Sequence, residues 1–462
     1  MNKISVVSAL VWALLLLPAA AQEAPEKTVT LEQALARARA QNPLLAAARA
    51  EVTAKEGQFR EARSLFVPDL ALTENLSRTN NPVYVFMGKL TQSRFTMQDF
   101  ALDALNRPDP LTNWQTRLEL TAPLFTGGKL TGAYRATTLG VERARAGADG
   151  AEASVVKGVT EAFYGSLLAA RAAGVMEEAV KTARAHRDQV EAMHGQGLIL
   201  DADRLRIRVF AADLEQQAAS RRADAEVARA YLAYAIGEEG EVVPEGRMEP
   251  PAELLPDLAE ARARGLAARP DLKAASLQRD QAGQGVKIAR ADYIPQVGLM
   301  AAWEHDTQDW SGHGENWMVG VQVRLPLFDG GARAGRLQTA QAQALQMEKV
   351  LEDARRKVGV EVQEAWLRAR AAGERLSVTK DAADQARENQ RVVALRYGEG
   401  MASLTDLLDA DTAVTVAELT RSQAVHDLLV ERARLAWATG ANGEGAGVEK
   451  RGSTEGPVEV AR

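Results

Sequence analysis

Of the side chains that most often carry catalysis or hold metals, the sequence offers five histidines and no cysteine. His186, His194, His305, His313 and His426 form no i, i+4 pair on a helix and have no thiolate nearby, so they read as solvated residues rather than ligands. No Ser/His/Asp relay can be placed without a pocket to hold it. "FTGGKLTG" sets a glycine pair before Lys129 but lacks the GxxxxGK[ST] spacing that cradles phosphate, so a corner between strand and helix is the better reading. No catalytic residue, cofactor or metal site is therefore expected. Two acids in "SLTDLLDAD", Asp406 and Asp409, remain of interest. Three residues apart, they share one helix face, but Ser403 stands at capping-box distance before Asp406, so one of them has a structural alternative.

The elements that position these residues follow from composition. Aromatic residues make up only 5% of the 462, and alanine is frequent, which disfavours a bulky core and suits long helices in close contact. Lys3, the apolar run "ISVVSALVWALLLLP" and Ala19-Ala20-Ala21 form the three regions of a signal peptide spanning 1–21, so an exported protein is expected. Without cysteine there is neither a disulfide framework nor a site for an N-terminal lipid. A net charge of -6 argues against nucleic acid as a partner. No stretch after the signal peptide approaches 18 consecutive apolar residues, so any membrane span must be made of strands.

The chain repeats itself. "NWQTRLELTAPLFTGG" from Asn113 returns as "NWMVGVQVRLPLFDGG" from Asn316. Pro43 and Pro270, and Pro68 and Pro295, are separated by 227, whereas Trp114 and Trp317, and Gly197 and Gly400, are separated by 203. The first copy thus carries 227 − 203 = 24 extra residues between Pro68 and Trp114. The division expected is a first repeat over 22–236, an equatorial linker over 237–269 rich in proline (Pro244, Pro250, Pro251, Pro256), a second repeat over 270–440, and a polar, disordered tail over 441–462. Residues 80–112 make a long loop, expected on the extracellular side, whose "VYVF" would alternatively fold as a lid.

Proline-free stretches over 129–193 and 332–396 read as helices on the order of 100 Å long. Their stripe is small: Val155, Val159, Ala162, Ser166, Ala169 and Ala173, matched by Val358, Val362, Ala365, Ala369, Ala372 and Leu376. Heptad steps of this kind predict coiled-coil packing, which an isolated rod would satisfy equally well. The strands expected at about 69–79, 113–122, 296–306 and 316–325 alternate instead. Trp317, Val319, Val321 and Val323 fall on one face and Met318, Gly320, Gln322 and Arg324 on the other. Such runs fit a half-buried soluble sheet or a membrane barrel, and export together with the missing globular core favours the barrel. Four strands cannot close alone, but a cyclic homotrimer supplies 3 × 4 = 12. Pro68, Pro123, Pro295 and Pro326 mark the corners between strand and helix.

With its signal peptide, duplicated halves, Pro-Leu-Phe-x-Gly-Gly corners and the stretch "RYGEGMASLTDLLDADT", the sequence resembles the TolC family of trimeric outer-membrane efflux channels from about Leu31 to Gly440. The resemblance implies a mainly α protein with a transmembrane β part: a 12-stranded barrel in the outer membrane of a Gram-negative bacterium, continued by a periplasmic helical tunnel. Its partners would be a periplasmic membrane-fusion adaptor, an inner-membrane efflux pump and outer-membrane lipid, with passive conduction of small molecules or ions. A duct for type I protein secretion is the alternative within the family, and a periplasmic coiled-coil adaptor or scaffold the alternative outside it. By the same resemblance, Asp406 and Asp409 form the pore constriction, Tyr397 and Asp203 belong to the lock between tips, and Gly197, Leu198, Gly400 and Met401 meet the adaptor. The arginine usual in that lock is Ala402 here, so the lock is incomplete.

Overall fold

The computed structural model describes residues 27–250, 254–309, 312 and 314–441. The expected signal peptide, Pro251, His313 and the tail beyond Ala441 lie outside the described residues. In chain order the elements are β1 (Lys27–Val29), α1 (Leu31–Gln41), α2 (Pro43–Ser64), β2 (Asp69–Thr79), α3 (Pro82–Thr91), a 3-10 turn (Met97–Phe100), α4 (Leu102–Asn106), β3 (Leu111–Phe125), α5 (Lys129–Gly195) and α6 (Asp201–Ile236). There follow β4 (Val242–Pro244), α7 (Leu258–Ala268), α8 (Pro270–Ala291), β5 (Gln296–Thr307), β6 (Gly314–Arg324), α9 (Ala332–Gly398) and α10 (Leu404–Ala438). The duplication is visible in the starts: α7 and α8 follow α1 and α2 by 227, and α9 and α10 follow α5 and α6 by 203. α5 and α9 each hold 67 residues, which at 1.5 Å per residue makes rods about 100 Å long.

Local chemistry starts and stops these elements. Thr30 and Gln33 cap α1 reciprocally, and Asn42 caps α2 with Pro43 in the first turn, where its missing N–H costs nothing. Gly128 and Gly331, at φ 89° and 90°, precede α5 and α9, a left-handed geometry that explains the glycine pairs. Pro68 and Pro295 immediately precede β2 and β5, and Pro326 follows β6. Pro123 differs from expectation: β3 runs on to Phe125, and the proline sits inside it where the pairing with β5 shifts register. A proline fits there because an irregular ladder does not use its N–H.

The helices bury a narrow seam of small side chains rather than a wide core. Val155, Val159, Ser166 and Ala173 in α5 and Val358, Val362, Ala365, Ala369 and Ala372 in α9 are buried, whereas Ala162, Ala169 and Leu376 are only half-buried and Phe163 takes the inner place beside Val159. Near the middle of the long helices, Val29, Leu35, Val159, Phe163, Leu232, Ile236 and Val242 form one cluster, and Val358, Val362, Ala369 and Leu435 form its counterpart in the second repeat. Parallel β1 and β4, not foreseen in the sequence, add a two-stranded ribbon there. The buried Arg269 lies over the Trp437 ring, with Lys157 also over that ring, and pairs with Asp271 and Glu361.

The second sheet has the order β2-β3-β5-β6, antiparallel throughout, with β2 and β6 as its edges. β6 begins at Gly314, two residues before the expected start. The expected loop over 80–112 is instead a folded insert, because Asn81 caps α3 from the N-cap position and Pro82 starts it. No helix among the described residues is long and apolar enough to cross a membrane.

Candidate functional site

Both helical hairpins turn with the same device. At the first tip, Leu198 N–H donates to Met193 O (3.0 Å) and Gly197 N–H to His194 O (2.9 Å); at the second, Met401 N–H donates to Arg396 O (2.8 Å) and Gly400 N–H to Tyr397 O (3.0 Å). This is a Schellman closure, which needs a left-handed residue, and Gly197 and Gly400 supply it at φ 76° and 73°. A Cβ at either glycine would meet no atom within 4 Å, so only backbone strain constrains these positions inside one chain. Each glycine is followed by a bare apolar side chain, Leu198 at 67% and Met401 at 68% exposure.

The two tips pack on each other. Val190, Ile207, Leu404, Leu407 and Leu408 make a shared core flanked by Ile199, Phe210 and Tyr397. Arg206 Nη1 donates to Thr405 Oγ1 between the hairpins, and His194 lies 3.1 Å from Asp201 across the first turn. Tyr397 and Asp203 come close enough for the acid's charge to add to burial in raising the phenol's pKa. They do not hydrogen-bond: the Tyr397 hydroxyl is buried with no partner among the described residues.

Asp406 and Asp409 are both exposed near the start of α10. Asp406 has the structural employment foreseen for it. Ser403 N–H and Oγ donate to its Oδ2 (2.9 and 2.7 Å), and Asp406 N–H returns a bond to Ser403 Oγ (3.2 Å). These bonds stabilise the charged form and hold its pKa below the ordinary aspartate value. Asp409 has no such engagement in the capping box and projects one turn further along the helix.

Three of the histidines are paired rather than solvated, which corrects the sequence reading. His186 Nε2 lies 3.1 Å from Asp411 Oδ2, joining α5 to α10; Gln390 of α9 donates to the other carboxylate oxygen at 2.7 Å. His426 lies 3.0 Å from Asp427, and His194 pairs with Asp201 as described. His305 stacks on Trp303. Lys129, weighed above for phosphate, is a corner residue: its Nζ lies 3.0 Å from Asp292, and that bond depresses the Asp292 pKa. Among the described residues no group of three or more His, Cys, Asp or Glu side chains is placed to hold a metal ion.

The four-stranded sheet has two chemically distinct faces in register. Leu72 opposes Leu118, Leu118 opposes Trp303 and Trp303 opposes Trp317, with Leu299 against Val321 further along the same face. No described residue covers this face: Trp317 is 79% and Val321 63% exposed. A polar row crosses it towards the rim: Glu74 opposes Thr116, whose Oγ1 donates to Glu74 at 2.7 Å, Thr116 opposes His305 and His305 opposes Glu315. The other face is polar. Arg117 bridges Glu119 (3.1 Å) and Glu304 (3.2 Å), and Gln115, Asp306 and Asn316 continue it towards the rim. That rim, where the insert meets Asn113, Asp306 and Asn316, carries side chains that sequence reasoning missed.

The sequence matches the family "Outer membrane efflux protein" over residues 34–238 and 261–441. It is 27% identical over 184 residues to the outer membrane efflux protein BepC of Brucella suis, a match covering 39% of this chain and 40% of BepC. It is 31% identical over 188 residues to protein CyaE of Bordetella pertussis, 38% of each chain. The chain therefore spans about two fifths of the length of the curated relatives it matches. Its fold is similar to that of the outer membrane protein VceC of Vibrio cholerae, with a TM-score of 0.73, 19% identity, and coverage of 89% of this chain and 96% of VceC.

Proposed function

The chain belongs to the outer membrane efflux protein family, and from that premise we propose that it is the outer-membrane exit duct of a tripartite efflux system. Three copies pool their sheets into one 12-stranded barrel, and their long helices form a periplasmic tunnel below it. The observation that carries this reading is the sheet. One face carries an apolar band from edge to edge that no described residue covers, and both edge strands, β2 and β6, have an unpaired side among the described residues. Water tolerates neither condition well, since a bare apolar face and open backbone edges both invite association. Lipid accepts the apolar face but not the open edges, which must pair with further copies. A polar inner face then lines a water-filled channel.

At the opposite end, Gly197 with Leu198 and Gly400 with Met401 offer the periplasmic membrane-fusion adaptor small, apolar knobs on rigid turns. The inner-membrane pump delivers cargo through that assembly. Asp406 and Asp409 stand beside the second tip, where a three-fold arrangement brings six carboxylates round the axis and favours cations at the periplasmic mouth. Tyr397 and Asp203 lie where a neighbouring tip would satisfy the orphaned phenol, and Ala402 leaves that contact without an arginine. Conduction is passive, down the gradient that the pump sets up. Reconstitution into planar bilayers tests the reading: stepwise, ohmic single-channel currents are expected, and a protein that fails to insert or conduct is not a duct.

A further inference from the structure

The insert between β2 and β3 is present once, whereas the equivalent hairpin of the second repeat is joined by six residues (308–313). Its 31 residues (80–110) fold as α3, a 3-10 turn and α4. They are internally tied: Phe86, Phe95 and Phe100 stack edge-on with centroids 4.8 and 5.0 Å apart, and Lys89 Nζ lies 2.6 Å from Asp99.

The insert also has a definite seat. Gln92, 1% exposed, donates to Thr112 O (2.9 Å) and Asn113 Oδ1 (2.7 Å); Asn113 Nδ2 donates to the buried Asp306 (2.6 Å), and Asn316 Nδ2 donates to Thr91 O (3.3 Å). A Cβ on Gly314 would lie 2.7 Å from Gln92 Cα, so the backbones meet in contact there. Asn113, Asp306 and Asn316 all belong to the polar face of the sheet. The insert is therefore folded over the rim on the side that faces the lumen of a closed barrel.

Away from its seat, α3 presents an apolar stripe, Val83, Tyr84, Met87 and Leu90, that the described residues leave exposed. Beyond the lumenal face of one sheet lies only the barrel axis and the inserts of the other copies. The dimensions fit. Twelve strands spaced about 4.8 Å apart and tilted about 40° enclose a backbone radius of about 12 Å. Three helices each about 10 Å across, packed round an axis, fill a circle of about 11 Å radius.

Resting on the duct reading above, we propose that residues 80–110 are a cap and that the apolar stripes of three copies of this chain meet on the axis and seal the outer mouth of the barrel. The periplasmic tips are then not the only gate. Cargo leaves when the cap stripes part, with the seat on Asn113, Asp306 and Asn316 holding each cap to its own sheet.

The test compares three forms of the full-length protein as detergent-purified trimers in planar bilayers. They are the wild type, a variant in which 80–110 is replaced by the six-residue connection of the second hairpin, and Met87→Glu, which places one charge per copy on an exposed position. Both variants are expected to raise single-channel conductance by about tenfold. In the cysteine-free chain, Met87→Cys is expected to cross-link between subunits with a short bismaleimide. Trimers that conduct equally with and without the insert, or that never cross-link through Met87→Cys, overturn the cap alone. A protein that forms no trimer in any version overturns the duct reading and the cap with it.

Discussion

Val321 and Gln322 are neighbours on β6, and the account gives them opposite surroundings. Val321 opposes Leu299 and is flanked on its face by Val319 and Val323, while Gln322 opposes Gly298 on the polar face. Val321 lies four residues from Trp317, which marks the interfacial level; at about 3.4 Å per residue and a tilt of about 40° that is a depth of about 10 Å, well inside the apolar band. An arginine at this depth costs about 2 to 4 kcal/mol. Since each 1.4 kcal/mol is tenfold in an equilibrium, Val321→Arg should cut the assembled outer-membrane trimer by about 30-fold or more under equilibrium urea titration. Gln322→Arg joins a lining that already holds Arg117 and Arg324 and should assemble as wild type. The assay is the folded-trimer fraction on unheated gels across the titration. Equal loss from both substitutions, or from neither, refutes the assignment of faces.

Gly400→Asp should abolish export yet leave the trimer in the membrane, because a Cβ there meets no atom within 4 Å and the substitution acts through backbone strain and a charge beside Met401; wild-type adaptor cross-linking in the mutant would remove the tip from the docking surface. Replacing Asp406 and Asp409 together by alanine should leave the trimer assembled and lower cation selectivity and block by multivalent cations, and unchanged bilayer recordings would return both acids to a structural role. The Lys89 ammonium, together with the Thr96 N–H and hydroxyl that also bond the carboxylate, lowers the Asp99 pKa from 3.8 to about 2. A depressed carboxylate stabilises above its unfolded pKa and loses that contribution as pH falls through its folded one, so the protection factors of α3 amides, with intrinsic exchange rates divided out, should hold at pH 5 and fall between about pH 4 and 2. Lys89→Met should show lowered α3 protection factors already at neutral pH.

Features that recur in the chain were legible in it. Each corner, tip and alternating strand occurs twice, so the two copies corroborate each other, and period-two alternation by itself separates the faces of β6. The insert had no second copy, and the β-branched and aromatic "VYVF" masked a helix start that Asn81-Pro82 does announce. The His186–Asp411 pair and the Gln92–Asn113–Asp306 chain join residues far apart in sequence, and no local pattern encodes such contacts. Asp406 was legible as an N3 capping residue, because Ser403-x-x-Asp406 is a local signal. The pore role proposed for it is not local, since it depends on how three copies arrange their tips.

The central claim is that the open edges of β2 and β6 are closed by two further copies within the outer membrane. Native mass spectrometry of the species extracted from purified outer membranes counts those copies directly. Three chains per particle, holding together in mild detergent, is the result the account predicts. A monomer recovered from the soluble periplasmic fraction would contradict it and return the chain to the class of coiled-coil scaffolds.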